Sequence, residues 1–232
     1  MNYGSSFFIN LRYLLSYLGI LRIIKKFIAI FNIEYEKKYS EEILKNAHKS
    51  FHVWDVGANK GIYLSKLFQT KKAKSITAFE PTPSLLTFLK RKFSKLIKKK
   101  KLFICNYALA DKNKKTYFWV SKKTHTENSL VYHPNKIKTV IEQKTPDELI
   151  TKKKFKIPNL IKIDIEGGEL KFLEGSKKML KHKELQHLFI EVHFAKLNKL
   201  YGKNSVKKII KILIKSNFKI SWIDSSHLHA KK

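Results

Sequence analysis

The stretch DVGANKG (residues 55–61) places an acid, an asparagine and two glycines directly after an apolar run that is typical of a buried strand. Glycines in such a turn let the backbone approach a ligand, and the helix that follows offers unpaired N–H groups at its start. Dinucleotide folds hold their cofactor at this position, but this spacing is D-x-G-x-N-x-G and not the nicotinamide pattern G-x-G-x-x-G. Asp55 suits a ligand with an ammonium group and would repel a pyrophosphate.

A second acid, Glu80, ends the next strand-like run, SITAFE, 25 residues after Asp55. An acid there can accept hydrogen bonds from both ribose hydroxyls of an adenosine. Alone, Glu80 could be a solvated acid at a strand end. Together, the two acids predict a ligand with an amino group, a ribose and an adenine but no phosphate, and S-adenosylmethionine fits that description.

Four further side chains that could do chemistry end two other predicted strands: Asp164, Glu166, Glu191 and His193. Open α/β sheets bind their ligands at this edge. Methyl transfer from a sulfonium to a hydroxyl needs a positioned acceptor and a base that removes the hydroxyl proton. His193 or Asp164 could be that catalytic base, and His193 could equally be an ordinary histidine at a strand end.

The same edge could also hold a divalent metal, because Asp164, Glu166 and Glu191 offer the oxygen ligands that magnesium prefers. We expect no metal, and we expect the pair His227 and His229 not to form a site.

The elements that must position these residues alternate from residue 51 onward, which predicts a mostly parallel sheet with helices on both faces. Residues 111–146 interrupt this alternation with short runs that predict an antiparallel insert, whose Tyr117, Trp119 and His125 are candidate acceptor contacts. The predicted strands cover residues 51–56, 75–80, 101–106, 159–165, 187–193 and 218–223, and the predicted helices 62–70, 83–97, 146–150, 169–181 and 204–217.

Five runs together resemble the FkbM-type S-adenosylmethionine-dependent methyltransferases: WDVGANKGIY, AFEPTP, CNYALAD, LIKIDIEGGELKFLEG and FIEVH. The resemblance covers about residues 50–220, and KIDIEGGE is its most specific part. It implies a Rossmann-like methyltransferase fold of seven strands and an activity on hydroxyl groups of sugars, polyketides or related metabolites.

The resemblance also implies roles for residues at matching positions. The loop around the methionine end of the cofactor would consist of Asp55, Gly57, Asn59 and Gly61, and Glu80 would hold the ribose. Asn106 and Ala108 would lie along the adenine, and Asp164 would close the site. The chain departs from the family in a short C-terminus, which puts the last strand in doubt, and in Pro146, where the family often has leucine.

The predicted domains are an N-terminal amphipathic helical segment (1–48), a methyltransferase domain (49–225) and a loose tail (226–232). Four cations, Arg12, Arg22, Lys25 and Lys26, interrupt the apolar N-terminal residues, so no uncharged run is long enough to span a bilayer. The segment either packs on the domain or makes a peripheral membrane contact through residues 5–33.

The net charge of +31 comes almost wholly from lysine, since the chain has three arginines. Proteins that read nucleic acid favour arginine, so we expect nucleic acid to bind only non-specifically and attribute the lysines to drift in an A/T-rich genome. A single cysteine, Cys105, cannot form an internal disulfide, which favours the cytoplasm.

The sequence thus favours a methyltransferase that uses S-adenosylmethionine on a small-molecule or glycan hydroxyl. Two alternatives remain. The charge motivates a nucleic-acid methyltransferase, although DIEGGE stands where base-methylating enzymes commonly have a proline-rich cradle. The other alternative is a cofactor-binding, membrane-associated protein without catalysis.

Overall fold

The computed structural model describes residues 7, 10–11, 14, 32–121, 136–152 and 155–232. In chain order the elements are α1 (Asn32–Asn46), β1 (His52–Val56), α2 (Ile62–Gln69), β2 (Ser75–Phe79), α3 (Pro83–Lys92), α4 (Ser94–Lys98), β3 (Leu102–Cys105), β4 (Tyr107–Leu109), β5 (Lys114–Ser121), β6 (Lys136–Lys144), α5 (Pro146–Thr151), β7 (Leu160–Ile163), α6 (Glu169–Glu174), a 3₁₀ turn (Met179–Lys181), β8 (His187–Glu191), α7 (Phe194–Tyr201), α8 (Ser205–Lys215), β9 (Lys219–Trp222) and β10 (His227–Lys231).

Seven strands form the central sheet in the order β3-β2-β1-β7-β8-β10-β9. The first five strands in this order, β3, β2, β1, β7 and β8, run parallel to one another. Strand β10 runs antiparallel to both of its neighbours. This arrangement confirms the predicted fold class, a mostly parallel Rossmann-like sheet. Because helices cover both faces, the central strands are apolar along nearly their whole length.

The two faces of the sheet carry separate cores. Trp54, Ile161 and Ile190 pack towards α6 and α8. Val53 and Leu160, one residue away in their strands, pack on the other face with α1, α2 and α3. Side chains alternate along a strand, so Asp55 and Lys162 share this second face, where they interrupt an otherwise apolar surface.

The C-terminal residues 226–232 are not a loose tail, and that prediction was wrong. They form β10, which inserts between β8 and β9 and buries Leu228 and Ala230 completely. The carboxylate of Asp224 accepts hydrogen bonds from the backbone N–H groups of Ser226 and His227 at 2.8 and 2.9 Å, which closes the hairpin after β9. The strand that the short C-terminus put in doubt is therefore present.

The insert is a separate three-stranded sheet with the order β4-β6-β5. Its β5–β6 pair is antiparallel, as predicted, and β4 adds a parallel neighbour that the sequence pattern did not indicate. His125 and the apolar run at residues 129–132 lie outside the described residues.

Two predicted helices are broken. The helix predicted over 169–181 ends at Gly175, where a Cβ atom would lie 2.1 Å from the carbonyl oxygen of Ala110. The long helix after Pro83 divides at Phe93 into α3 and α4. Helix α7 was not predicted.

Helix α1 packs on the sheet through Tyr39, Ser40, Ile43 and Ala47, all of which are buried. The predicted amphipathic helix and its four cations lie outside the described residues, apart from four single positions between 7 and 14. No helix in the described part of the chain is both long and apolar enough to cross a bilayer.

The buried position of β10 predicts that Leu228→Ala lowers the free energy of unfolding by about 2–4 kcal/mol, because it leaves a cavity between α8 and the sheet. Ile214→Ala is the matched control, since Ile214 is 58% exposed on α8 and its truncation removes little buried surface. Urea unfolding of both variants measures the difference. Equal stabilities would contradict the assignment of β10 to the core.

Candidate active site

A cavity of about 300 Å³ opens at the carboxyl ends of the parallel strands. Residues from the glycine loop, from the end of β2, from the insert and from the ends of β7 and β8 line it. Among them are Gly57, Asn59, Lys60, Glu80, Ala108, Phe118, Gln143, Lys162, Asp164, Glu166 and Glu191. Seven of the sequence-predicted residues for the cofactor and metal thus line one cavity in the structure, where open α/β folds bind ligands.

The glycine loop is fixed by close backbone packing. A Cβ atom on Gly57 would lie 1.8 Å from the carbonyl oxygen of Asp164, and one on Gly61 would lie 2.5 Å from the ring of Phe93. Both glycines and Asn59 have positive φ angles, which glycine adopts freely and asparagine tolerates better than most residues. The loop can therefore follow this path only with small residues at these two positions.

Glu80 holds the loop in place while it lines the cavity. Its Oε2 atom accepts a hydrogen bond from the backbone N–H of Asn59, and its Oε1 atom accepts one from Thr82, both at 2.9 Å. Burial raises the pKa of Glu80, and these N–H donors oppose that shift. Each carboxylate oxygen has a further lone pair, so Glu80 can accept additional hydrogen bonds from a ligand.

Asp55 does not line the cavity. It is buried beneath the loop, and its Oδ1 atom lies 3.4 Å from the ammonium nitrogen of Lys162 on the neighbouring strand. Burial raises the pKa of Asp55, and the charge of Lys162 opposes that effect. The carboxylate that the sequence placed against a cofactor ammonium thus already has a cation beside it.

Sequence reasoning missed Lys162. Its Nζ atom donates to the Gly57 carbonyl at 3.1 Å, lies 3.3 Å from Asp164 Oδ2 and sits 4.8 Å from the centre of the Tyr63 ring. Although burial favours the neutral amine, the carboxylates of Asp55 and Asp164 outweigh it and raise the pKa of Lys162. The available signal was a lone lysine in the apolar run LIKI, in register with Asp55.

His193 is the N-cap residue of α7, and four carboxylates lie near its ring. Its Nδ1 atom lies 2.7 Å from Glu169 Oε1, and its Nε2 atom lies 3.3 Å from Glu166, 3.7 Å from Glu191 and 3.9 Å from Asp164. Burial disfavours the charged ring, but these acids, Glu169 foremost, raise the pKa of His193 to about 10. An imidazolium cannot accept a proton, so the electrostatics argue against His193 as the catalytic base at neutral pH.

His227 supports this cluster from behind. Its Nδ1 atom donates to Asp224 at 2.7 Å, its Nε2 atom lies 3.7 Å from Glu191, and the ring of Tyr39 stacks on it at 3.8 Å. Burial lowers the pKa of His227, but its hydrogen bonds with Asp224 and Glu191 outweigh burial and raise it to about 9. Strand β10 and helix α1 therefore help to position Glu191.

Asp164, Glu191 and His193 each offer an atom within 4.8 Å of the others, so these three could surround a metal ion. Glu166, which the sequence suggested as a ligand, instead pairs with Lys196. Lys162 already contacts Asp164, and His193 already shares its proton with the acids. A divalent ion would therefore have to displace one proton and one ammonium contact.

The two residues predicted to lie along the adenine occupy different places in the structure. Ala108 lines the cavity, but Asn106 is exposed and lines a separate groove beside β3. Tyr107, between them, lines both. Asn106 precedes β4, whose residues Tyr107, Ala108 and Leu109 all line the cavity.

Consecutive residues of β5 in the insert face opposite sides of its sheet. Phe118 lines the cavity, whereas Tyr117 is 54% exposed and Trp119 lies on the same outer face as Tyr117. Neither Tyr117 nor Trp119 lines this cavity, so their contact with an acceptor stays a prediction that the cavity does not support. Gln143 of β6, opposite Lys114 in the ladder, lines the cavity with Phe118.

The buried pair predicts that Lys162→Met destabilises the protein by about 3–5 kcal/mol, because it leaves Asp55 without a compensating charge. The double variant Asp55→Asn/Lys162→Met should recover a large part of this loss. Urea unfolding of the two single variants and the double variant measures the coupling. Additive losses would contradict the pairing.

Because the pKa values of His193 and His227 are both raised, we expect NMR at about pH 7.5 to find both rings doubly protonated, unlike an ordinary histidine. His187 and His229 should be neutral, because burial lowers the pKa of each to about 4. The variants His193→Gln and His227→Gln assign the signals.

The raised pKa of His193 also makes the free energy of unfolding depend on pH. The folded state binds the His193 proton more tightly than the unfolded chain does, so its contribution is full below the ordinary pKa of 6.5 and is lost as the pH rises to about 10. A neutral His193 ring at neutral pH would contradict this account and restore the histidine as a base.

The chain is similar to known proteins in sequence and in fold. The chain is 27% identical to the hexuronic acid methyltransferase AglP of Haloferax volcanii over 158 residues, which are 65% of this chain and 59% of that protein. The fold of this chain is similar to that of an FkbM methyltransferase from Methylobacillus flagellatus KT, with a TM-score of 0.56 and 18% identity. The match covers 80% of this chain and 44% of the other. A model of the Methyltransferase FkbM domain matches residues 55–220, and the chain therefore belongs to the FkbM methyltransferase family.

Proposed function

We propose that the protein transfers a methyl group from S-adenosylmethionine to a hydroxyl group of a sugar, a glycan or a related metabolite. The observation that carries this proposal is the single cavity that combines the glycine loop, the ribose-side acid Glu80 and the carboxylate of Asp164. Family membership supports the activity. The name of the Haloferax volcanii relative supports a sugar acceptor, although the chain spans 59% of that relative.

The cofactor's methionine end would lie against the loop residues Gly57 and Asn59, and Glu80 would accept hydrogen bonds from the ribose hydroxyls. Ala108, with Tyr107 beside it, would lie along the adenine. Gly61 and Asp55 would act from outside the cavity wall. Gly61 allows the loop to pack on Phe93, and Asp55 holds Lys162 against the Gly57 carbonyl.

S-adenosylmethionine, when bound, supplies an electrophilic methyl group for an in-line displacement. Asp164 lines the cavity with a side chain that is 28% exposed, and we assign it the role of the base that takes the proton of the acceptor hydroxyl. His193 keeps its own proton and positions the carboxylates of Asp164, Glu166 and Glu191. No step in this scheme needs a metal.

The alternative of a nucleic-acid methyltransferase has less support. Carboxylates of Asp164, Glu166 and Glu191 stand along the cavity wall, and they would repel a phosphate backbone. Nucleic acid would bind non-specifically through the excess of lysines, with an affinity that falls steeply as salt is added.

Glu80→Gln should weaken S-adenosylmethionine binding by about 1.5–3 kcal/mol, because the amide replaces a charged acceptor of ribose hydrogen bonds with a neutral one. Glu184→Gln is the control, since Glu184 is an exposed acid at the opposite end of β8 from the cavity. Titration calorimetry gives both affinities. Unchanged binding in the Glu80 variant would remove Glu80 from the cofactor site.

Asp164→Asn should lower kcat by about 10²–10⁴-fold in an assay with labelled cofactor and a set of glycan and small-molecule hydroxyl acceptors, because the amide cannot take the acceptor proton. The affinity for the cofactor should change much less. Chelation with EDTA should leave the rate unchanged. Loss of the rate on chelation would contradict the assignment of a carboxylate base and indicate a metal centre. Methylation of RNA or DNA bases alone would contradict the proposed acceptor.

A further inference from the structure

The most basic stretch of the chain lies outside the cavity, at one edge of the sheet. Residues 90–101 contain eight cations and no acid, and all eight are exposed: Lys90, Arg91, Lys92, Lys95, Lys98, Lys99, Lys100 and Lys101. They occupy the end of α3, the whole of α4 and the turn into β3. We call this surface the basic edge.

An open apolar groove of about 640 Å³ runs along the basic edge. Its apolar lining includes Ile97, Phe103 and Phe155, and two of the cations, Lys90 and Lys98, also line it. Phe103 on β3 is 44% exposed although it is a large hydrophobic residue. Strand β3 is the last strand of the sheet on this side, so it pairs with β2 alone within the described residues.

The charges of the basic edge are not neutralised by the domain. Within the described ranges, none of the eight cations has a carboxylate oxygen within 4.0 Å, whereas Lys162, Lys171 and Lys196 each pair with acids. Lys92 contacts the domain in other ways: its ammonium donates to the carbonyl of Lys60 and lies over the rings of Phe88 and Phe93. An anionic partner would therefore meet eight positive charges that no described acid neutralises.

We propose that the basic edge binds the surface of a bilayer that contains acidic phospholipids. Lysines near such a surface are attracted by its potential, and an adjacent exposed aromatic ring can enter the headgroup region. Seven of the eight cations are lysine, which lacks the planar fork with which arginine holds phosphates and bases of nucleic acids. A nucleic-acid backbone would also leave the apolar groove and Phe103 unused.

The basic edge adjoins the candidate active site. Tyr107 lines both the groove and the cavity, and Lys92 contacts the backbone of Lys60, which lines the cavity. A bilayer on this surface would lie beside the cavity entrance and present lipid-linked hydroxyl groups to it. The binding itself does not depend on methyl transfer, so its failure would leave the proposed function intact.

The test is flotation of the full chain with two kinds of vesicle, phosphatidylcholine alone and phosphatidylcholine with about 30% phosphatidylglycerol. The first variant carries Lys98→Gln, Lys99→Gln, Lys100→Gln and Lys101→Gln. The matched control removes four exposed lysines from α8, which packs beside β9 at the opposite edge of the sheet: Lys207→Gln, Lys208→Gln, Lys211→Gln and Lys215→Gln. A third variant, Phe103→Ser, tests the apolar contact.

We expect binding to the acidic vesicles only, with about fivefold loss for each lysine removed from the basic edge and less than about threefold loss in total for the α8 control. Phe103→Ser should lower binding by about tenfold at high salt as well as at low salt. Equal losses in the two lysine variants would show bulk charge alone and overturn the proposal. Retained vesicle binding by the basic-edge variant, together with lost binding to single-stranded RNA, would also overturn it and assign the surface to nucleic acid.

Discussion

The buried ammonium of Lys162 is the interaction on which the site depends. It lies between the carboxylates of Asp55 on β1 and Asp164 after β7 and donates to the backbone carbonyl of Gly57. A buried charge without a partner is strongly unfavourable, so the three groups hold one another in place. The contact joins the two central strands to the loop between β1 and α2. The loop geometry, and with it the shape of the cavity, therefore follows from a charge arrangement that joins Lys162 and Asp164 in the cavity wall to the buried Asp55 beneath it.

A second group of charges sets the chemistry at the other side of the cavity. Glu166 has a φ of 56° and Gly167 one of 102°, and Glu169 accepts hydrogen bonds from Gly167 and His193. Backbone conformations of this kind persist where the surrounding structure holds them, and they are frequent at functional sites. Here the turn directs carboxylates at His193, whose proton keeps them together. The consequence is a site with several acids, in which the base is a carboxylate and the histidine is structural.

Much of the fold could be predicted from the sequence, because the buried parallel strands are apolar runs separated by helical periodicity. The glycine loop was also recognisable, since glycines at this spacing after a strand have few other uses. Strand β10 was not recognisable, because residues 227–231 form a short run with two histidines and a lysine. Only their pairing with β8 and β9 makes them a strand.

The details of the site that were missed depend on tertiary contacts. The sequence presents Asp55 as a free carboxylate, and only the register of β1 against β7 places Lys162 beside it. His193 is a plausible base until four acids surround it, three from residues 164–169 and the fourth, Glu191, from the end of β8. In the insert, the pattern indicated a strand correctly but could not tell which alternate face, that of Tyr117 or that of Phe118, turns to the cavity.

The most direct test of this account is a crystal structure of the protein with S-adenosylhomocysteine. We predict that the ribose hydroxyls lie about 2.6–3.2 Å from the Glu80 carboxylate, that the adenine lies along Ala108, and that Asp55 stays paired with Lys162 and makes no contact with the ligand. A ligand outside this cavity would contradict the assignment of the site. Direct hydrogen bonds from the ligand's amino group to Asp55, with Lys162 displaced, would contradict the role of the buried ammonium.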